Sequence, residues 1–180
     1  MKVLIADDEI KVCRLIQHLV DWDALEMDIV GFANDGKTAY ESICEKKPDI
    51  VITDIRMPVY DGLELIRRAK EVNPEINFIV ISGYSQFEYA QQAIKYGVKD
   101  YLLKPLKKRE LENSLTEIKE SHESLIKSTR IRNEMESIIE ASGNSFMKSF
   151  IKGREESESD TIFPVIEISR LSKSISSLST

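Results

Sequence analysis

Cysteine is scarce in this 180-residue chain: only Cys13 and Cys44 occur, and neither stands near a second metal ligand. That excludes a disulfide-stapled secreted scaffold and a zinc finger, and both thiols read as small buried hydrophobes of a reduced, cytosolic protein. Basic charge is not in excess either. The formal net charge is -6, and no stripe of lysine and arginine suited to nucleic acid is visible. No apolar run approaches the roughly 20 residues of a membrane span. The start, with Lys2 and four apolar residues before Asp7, is too short for a signal-peptide core. Neither a glycine-rich fingerprint nor a Walker loop follows any apolar run, so a dinucleotide or nucleoside-triphosphate site is poorly supported. The expectation is a soluble, cytoplasmic protein with no membrane partner. What is present is ordinary globular material, 42% apolar and 31% charged, long enough for one domain and an appendage.

Short apolar runs alternate with longer amphipathic ones up to about position 120, the pattern of a parallel α/β sheet. Val3 to Ala6, Ile29 to Ala33, Ile50 to Thr53, Phe78 to Ile81 and Tyr101 to Leu103 read as five strands. Val12, Leu15, Ile16, Leu19 and Val20 recur at helical spacing, as do Leu63, Leu65, Ile66 and Ala69, and Phe87, Ala90, Ala93 and Ile94. Breakers such as Gly36, Pro48, Asp61-Gly62, Gly83, Gly97 and Pro105 fall between these runs. Right-handed crossovers then give a three-layer sandwich whose site lies at the carboxyl ends of the strands.

A helix beginning after Leu106 is expected to outrun this domain. Leu111, Leu115, Ile118 and Leu125 form a near-heptad stripe that His122 and Thr129 interrupt, and Ile131, Met135 and Ile138 restart it out of phase. A plain helical linker over 121–142 is preferred to a weak coiled coil. Gly143 is read as the stop or turn that ends it, and Arg154 to Asp160 as an acidic, serine-containing loop. The last twelve residues hold six serines, which favours a mobile end over a short docking helix on Ile168, Leu171, Ile175 and Leu178.

Polar residues unsuited to a core end four strands: Asp7 and Asp8 the first, Asp54 the third, Ser82 the fourth and Lys104 the fifth. Each alone reads more readily as a cap or turn residue. Together they converge, because a parallel sheet gathers its carboxyl ends. Three nearby carboxylates repel one another unless a cation compensates. Hard oxygen donors without histidine or thiolate suit magnesium, with manganese as a substitute. Lys104 adds a second cation, so Asp54 can attack phosphorus and become an aspartyl phosphate. A Ser82 hydroxyl bond to that group exists only after transfer, which makes a switch.

These residues resemble the receiver domains of bacterial two-component response regulators over residues 1 to about 120. Val-Leu-Ile-Ala-Asp-Asp-Glu at 3 to 9 is similar to the family's opening strand and acid pair, and Thr-Asp-Ile-Arg-Met-Pro at 53 to 58 to its phosphoacceptor strand. Asp61-Gly62, Ile81-Ser82-Gly83 and Asp100-Tyr101-Leu102-Leu103-Lys104-Pro105 complete the match. The resemblance implies a flavodoxin-like (CheY-like) sandwich with a five-stranded parallel sheet in order 2-1-3-4-5 and an extended C-terminal helix. It implies that Asp54 is phosphorylated by a sensor histidine kinase, that Asp8 and Asp54 ligate magnesium directly, Asp7 through water and Arg56 through its carbonyl. Ser82 and Tyr101 become the switch pair, Lys104 contacts the phosphoryl group, and the Lys104-Pro105 bond is expected to be cis. The resemblance also implies that Arg56 and Tyr84 flank the path of attacking water, and their bulk suggests slow phosphoryl loss.

Asp21-Trp22, Gly31-Phe32-Ala33 and Gly83-Tyr84-Ser85-Gln86-Phe87-Glu88-Tyr89-Ala90 resemble the subgroup fused to an AraC-type helix-turn-helix domain. No recognition helix is found here, so DNA binding is expected only through an output domain absent from these residues, which read as a fragment or a natural short form. The expected organisation is a receiver at 1–120, the linker at 121–142 and a tail or truncated start of a following segment at 143–180. The resulting reading is a phosphorylation switch, with homodimerisation or effector release as output, and not an enzyme. An aspartyl-phosphate phosphatase would normally keep an acid where Arg56 stands. A silent interaction domain would have no reason to retain repelling carboxylates.

Overall fold

Five runs of aliphatic residues pair side by side, all parallel, in the computed structural model of the chain, which describes residues 1–83 and 87–155, with side-chain environments for 1–83 and 88–139. They are β1 (Lys2–Ala6), β2 (Asp28–Ala33), β3 (Ile50–Asp54), β4 (Asn77–Ser82) and β5 (Asp100–Leu103). The sheet order is β2-β1-β3-β4-β5, the doubly wound 2-1-3-4-5 arrangement that was expected. Four strands extend one residue beyond the apolar run and β4 extends one at each end, because polar ends such as Lys2, opposite Asp28, and Ser82, opposite Leu103, still join the ladder.

Helices cover both faces: α1 (Ile10–Leu19), α2 (Trp22–Leu25), α3 (Gly36–Lys46), α4 (Gly62–Val72), α5 (Phe87–Lys95) and α6 (Lys108–Glu155). Alternate strand residues point to opposite sides. Leu4, Val51, Phe78 and Val80 meet Ala39, Ile43, Leu65, Ile66, Ala69 and Ala93 of α3, α4 and α5. Val3, Ile5, Ile50, Ile52, Ile79 and Ile81 meet Cys13 and Ile16 of α1 and Leu111, Leu115 and Ile118 of α6. Burial on both faces is why the strands are continuous apolar runs rather than alternating ones.

Several details depart from the expectation. Cys44 is exposed, not buried, whereas Cys13 is buried. Leu15 and Ile94 are also exposed, each about 100° around its helix from a buried neighbour, Ile16 or Ala93. The short α2 has too few residues for any period to show; Asp21 caps it by accepting from the Ala24 N–H at 3.1 Å. Gly143 does not stop α6, which continues to Glu155. An isolated interior glycine costs only about 1 kcal/mol relative to alanine, too little to end a helix without a left-handed cap. The stripe that packs in α6 ends at Ile118, and Leu125 is exposed. The chain divides into Met1–Ser128, which contains the sheet, and Thr129–Thr180, helical through Glu155. The expectations for Tyr84 and for 156–180 lie outside the described residues.

Candidate functional site

The strand order reverses between β1 and β3, and a doubly wound sheet opens a crevice at that point, outside the carboxyl ends of its strands. Asp7 follows β1 there and Asp54 ends β3. Asp7 is 2% exposed and Asp54 7%, so neither carboxylate is dispersed in solvent. Lys104, just past β5, bridges them: its Nζ lies 3.0 Å from Asp7 Oδ2 and 3.0 Å from Asp54 Oδ1. Glu9 Oε1 stands farther off, at 3.8 Å.

The remaining carboxylate oxygens are held by backbone. Asp7 Oδ1 accepts from the Glu9 N–H at 2.8 Å, and Asp54 Oδ2 accepts from the Arg56 N–H at 2.6 Å. Lys104 is placed in turn by its own N–H, which donates to the Ser82 carbonyl at 2.8 Å, and its bond to Pro105 is cis. Burial pushes the Asp7 carboxyl above its ordinary value; the Glu9 N–H and Lys104 pull it down only in part, and the charge of Asp54 adds to the rise. Burial pulls the Lys104 ammonium down, but hydrogen bonds and charge from Asp54 and Asp7 outweigh it and leave it above its ordinary value. A firmly protonated lysine therefore sits between two crowded acids.

Ser82 is buried at the end of β4, beside the backbone of Lys104. Tyr101 is half-buried, two strand positions from Ser82 across the ladder, and packs against the cluster under α3, α4 and α5. Asp8, in the bend that follows β1, is exposed, and Arg56 is exposed too. Among the described residues no group of three or more histidine, cysteine, aspartate or glutamate side chains is arranged to hold a metal ion. The acids around the Lys104 ammonium are Asp7 and Asp54 at 3.0 Å and Glu9 at 3.8 Å.

Other parts of the site depend on contacts that residue type does not reveal. The loop from Ile55 to Asp61 is closed by the Gly62 N–H donating to the Ile55 carbonyl at 2.7 Å, and a Cβ at Gly62 would overlap the Asp54 carbonyl oxygen. Within the loop, the Tyr60 N–H donates to the Pro58 carbonyl at 2.9 Å across Val59, whose φ of 70° is a left-handed value that a β-branched residue rarely adopts. The Arg68 guanidinium lies 4.4 Å over the Tyr60 ring and fixes the loop from α4. Beside Asp7 opens a groove of about 370 Å³, with Ile10, Cys13, Arg14, Phe32 and Asn34 in its walls.

The family model of the response regulator receiver domain matches residues 3–116. The transcriptional regulatory protein YesN of Bacillus subtilis (strain 168) is 40% identical over 156 residues, 84% of this chain and 42% of that protein. The transcriptional regulatory protein ZraR of Klebsiella oxytoca is 38% identical over 116 residues, 64% of this chain and 25% of that protein. The chain therefore spans less than half the length of these relatives. Among solved structures, the REC domain of AraT, a response regulator from Geobacillus stearothermophilus, superposes with a TM-score of 0.65 at 41% identity, covering 68% of this chain and 95% of that one. The CheX-CheY-BeF3-Mg complex of Borrelia burgdorferi shares the fold, with a TM-score of 0.61 at 23% identity over 66% of this chain and 88% of that one.

Proposed function

Because the chain belongs to the response regulator receiver family, the signalling switches of two-component systems, we propose that Asp54 is its phosphoacceptor and that phosphorylation by a sensor histidine kinase throws the switch. The observation that carries this reading is the Lys104 ammonium, 3.0 Å from both Asp54 and Asp7. An oxygen of Asp54 attacks phosphorus, forming an O–P bond as the P–N bond of a phosphohistidine breaks and its electron pair returns to the imidazole. Lys104 shifts from the carboxylates to the phosphoryl oxygens, where its charge offsets the negative charge that arrives. Ser82 then donates a hydrogen bond to the phosphoryl group, and Tyr101 turns inward on β5. The exposed apolar wall of Ile10 and Phe32 beside Asp7 favours a protein as the donor.

The chemistry of the donors fits a hard divalent ion, magnesium or in its place manganese: the buried carboxylates of Asp7 and Asp54 and the exposed one of Asp8 offer oxygen and no imidazole. Asp54 and Asp8 would hold it directly, Asp7 through water and Arg56 through its carbonyl. When bound, it supplies positive charge against the repulsion between acids and anionic donor. Arg56 and Tyr84 retard the water that would remove the phosphoryl group. The chain acts as a switch rather than an enzyme, in the cytoplasm, with 1–120 as receiver, 121–142 as linker and 143–180 as tail. In the full-length protein an AraC-type output domain contacts DNA, and homodimerisation on phosphorylation conveys the signal.

Incubation with magnesium and acetyl phosphate tests the core of this. Intact mass should show one added phosphoryl group on the wild type and none on Asp54→Ala. A gain that survives Asp54→Ala, or no gain in either, sinks the assignment.

A further inference from the structure

Glu9 has no task in the phosphoryl transfer described above, although it stands at the mouth of the site. It holds the N-cap position of α1, yet its side chain makes no capping hydrogen bond. Its backbone N–H is committed to Asp7 Oδ1, and its carboxylate lies 3.8 Å from the Lys104 ammonium. The Glu9 side chain is 66% exposed, whereas Asp7 and Asp54 are buried. A molecule that approaches Lys104 from solvent therefore meets the charge of Glu9 before that of either buried acid.

A fixed negative charge in that place separates phosphoryl donors by what the phosphorus is bonded to. An acyl phosphate arrives as a dianion, and when its P–O bond breaks the electron pair leaves on a carboxylate. A phosphoramidate or a phosphohistidine offers the same phosphoryl group on a nitrogen that carries a proton, so its net charge is less negative by one unit. When its P–N bond breaks, the pair returns to that nitrogen, which leaves as a neutral amine or imidazole. Lys104 attracts both kinds of donor through the phosphoryl oxygens, but Glu9 repels the acyl phosphate more. We propose that Glu9 is a specificity-determining residue, whose exposed carboxylate beside Lys104 selects donors with phosphorus on a protonated nitrogen over acyl phosphates.

The proposal rests on Asp54 being the acceptor and extends that reading to the class of donor. One unit of charge at roughly 6 Å in a water-like medium changes a rate by about threefold. Acyl phosphates are thus disfavoured rather than excluded, and a small donor of either class still reaches Asp54.

Phosphoryl uptake by the full chain is timed by intact mass at saturating magnesium, once with phosphoramidate and once with acetyl phosphate. Glu9→Gln is close to isosteric and keeps the backbone N–H that holds Asp7. The ratio of the phosphoramidate rate to the acetyl phosphate rate should fall about threefold in Glu9→Gln and about tenfold in Glu9→Lys. In Glu9→Asp, which keeps the charge, it should stay near the wild-type value. A purely structural role would slow both donors together and leave the ratio alone. An unchanged ratio across these variants therefore overturns the role of Glu9 while Asp54 remains the acceptor. No Asp54-dependent uptake from either donor overturns the acceptor assignment, and the donor selectivity with it.

Discussion

A carboxylate that is 2% exposed and shares its lysine with a second acid is placed for chemistry at the expense of stability. Its pKa is raised on folding, so the native state binds the proton more tightly than the unfolded chain does. Stability therefore falls as pH rises from the ordinary aspartate value of 3.8 through the raised one, and above that window the full cost of an ionised Asp7 is present. Lys104 adds no slope there: its raised pKa contributes stability fully present below 10.5 and lost only as pH rises through the folded value. Asp7→Asn should accordingly raise the unfolding free energy at pH 7, because the neutral amide removes the cost of burying an ionised carboxylate. The gain should shrink as the pH is lowered toward 4, where Asp7 becomes neutral in its own right. Urea unfolding across that range checks this, and a gain that does not vary with pH would show that ionisation is not its source. Asp7, Asp54 and Lys104 are legible in the amino-acid sequence only jointly: each alone reads as a cap or turn residue, and a parallel sheet that gathers its strand ends brings them together. The Glu9 and Arg56 N–H groups that complete the site are not, since every residue there offers the same backbone donor.

The loop between β3 and α4 shows what an element adds to its residues. Asp61 starts α4 by accepting from the Glu64 N–H at 2.8 Å, and Gly62 folds back until its N–H reaches Ile55. The approach leaves no space for a side chain over the Asp54 carbonyl. Gly62→Ala should cost about 1–3 kcal/mol, as overpacking does. It should also slow phosphoryl uptake from acetyl phosphate, because backbone is what yields and Asp54 moves with it. Loss of stability with an unchanged uptake rate would separate the loop from the acceptor. As a breaker, Asp61-Gly62 is readable from residue type alone; as a contact with Asp54 it is not, because that approach depends on α4 packing across the sheet. The strands and the Leu63, Leu65, Ile66 and Ala69 face are legible for the opposite reason. Each repeats one demand, burial, over several residues. Where the signal is made once, it fails: α2 is too short to show a period, and Gly143, read as a stop, lies inside α6.

At the scale of the molecule, Met1–Ser128 contains every residue assigned to the switch. Leu111, Leu115 and Ile118 close its second core cluster. Each such side chain stabilises by about 1.5–3 kcal/mol when fully buried, so the three together rival the about 5–15 kcal/mol that holds a domain folded. Beyond Ser128 the large apolar side chains with described environments are exposed and supply no such burial. Periodicity shows that α6 has two stripes, but which of them is buried depends on the sheet beneath, and that is a property of the whole fold. A chain ending at Ser128 should therefore keep the unfolding free energy of the 180-residue chain to within about 0.5 kcal/mol, as surface changes do. It should also take up a phosphoryl group at the same rate. A chain ending at Lys107, which lacks α6, should be unfolded or nearly so. Urea titration and timed mass spectra on the three chains check both statements. A 1–128 chain that loses several kcal/mol would mean that residues after Ser128 are part of the receiver's core rather than an attachment to it.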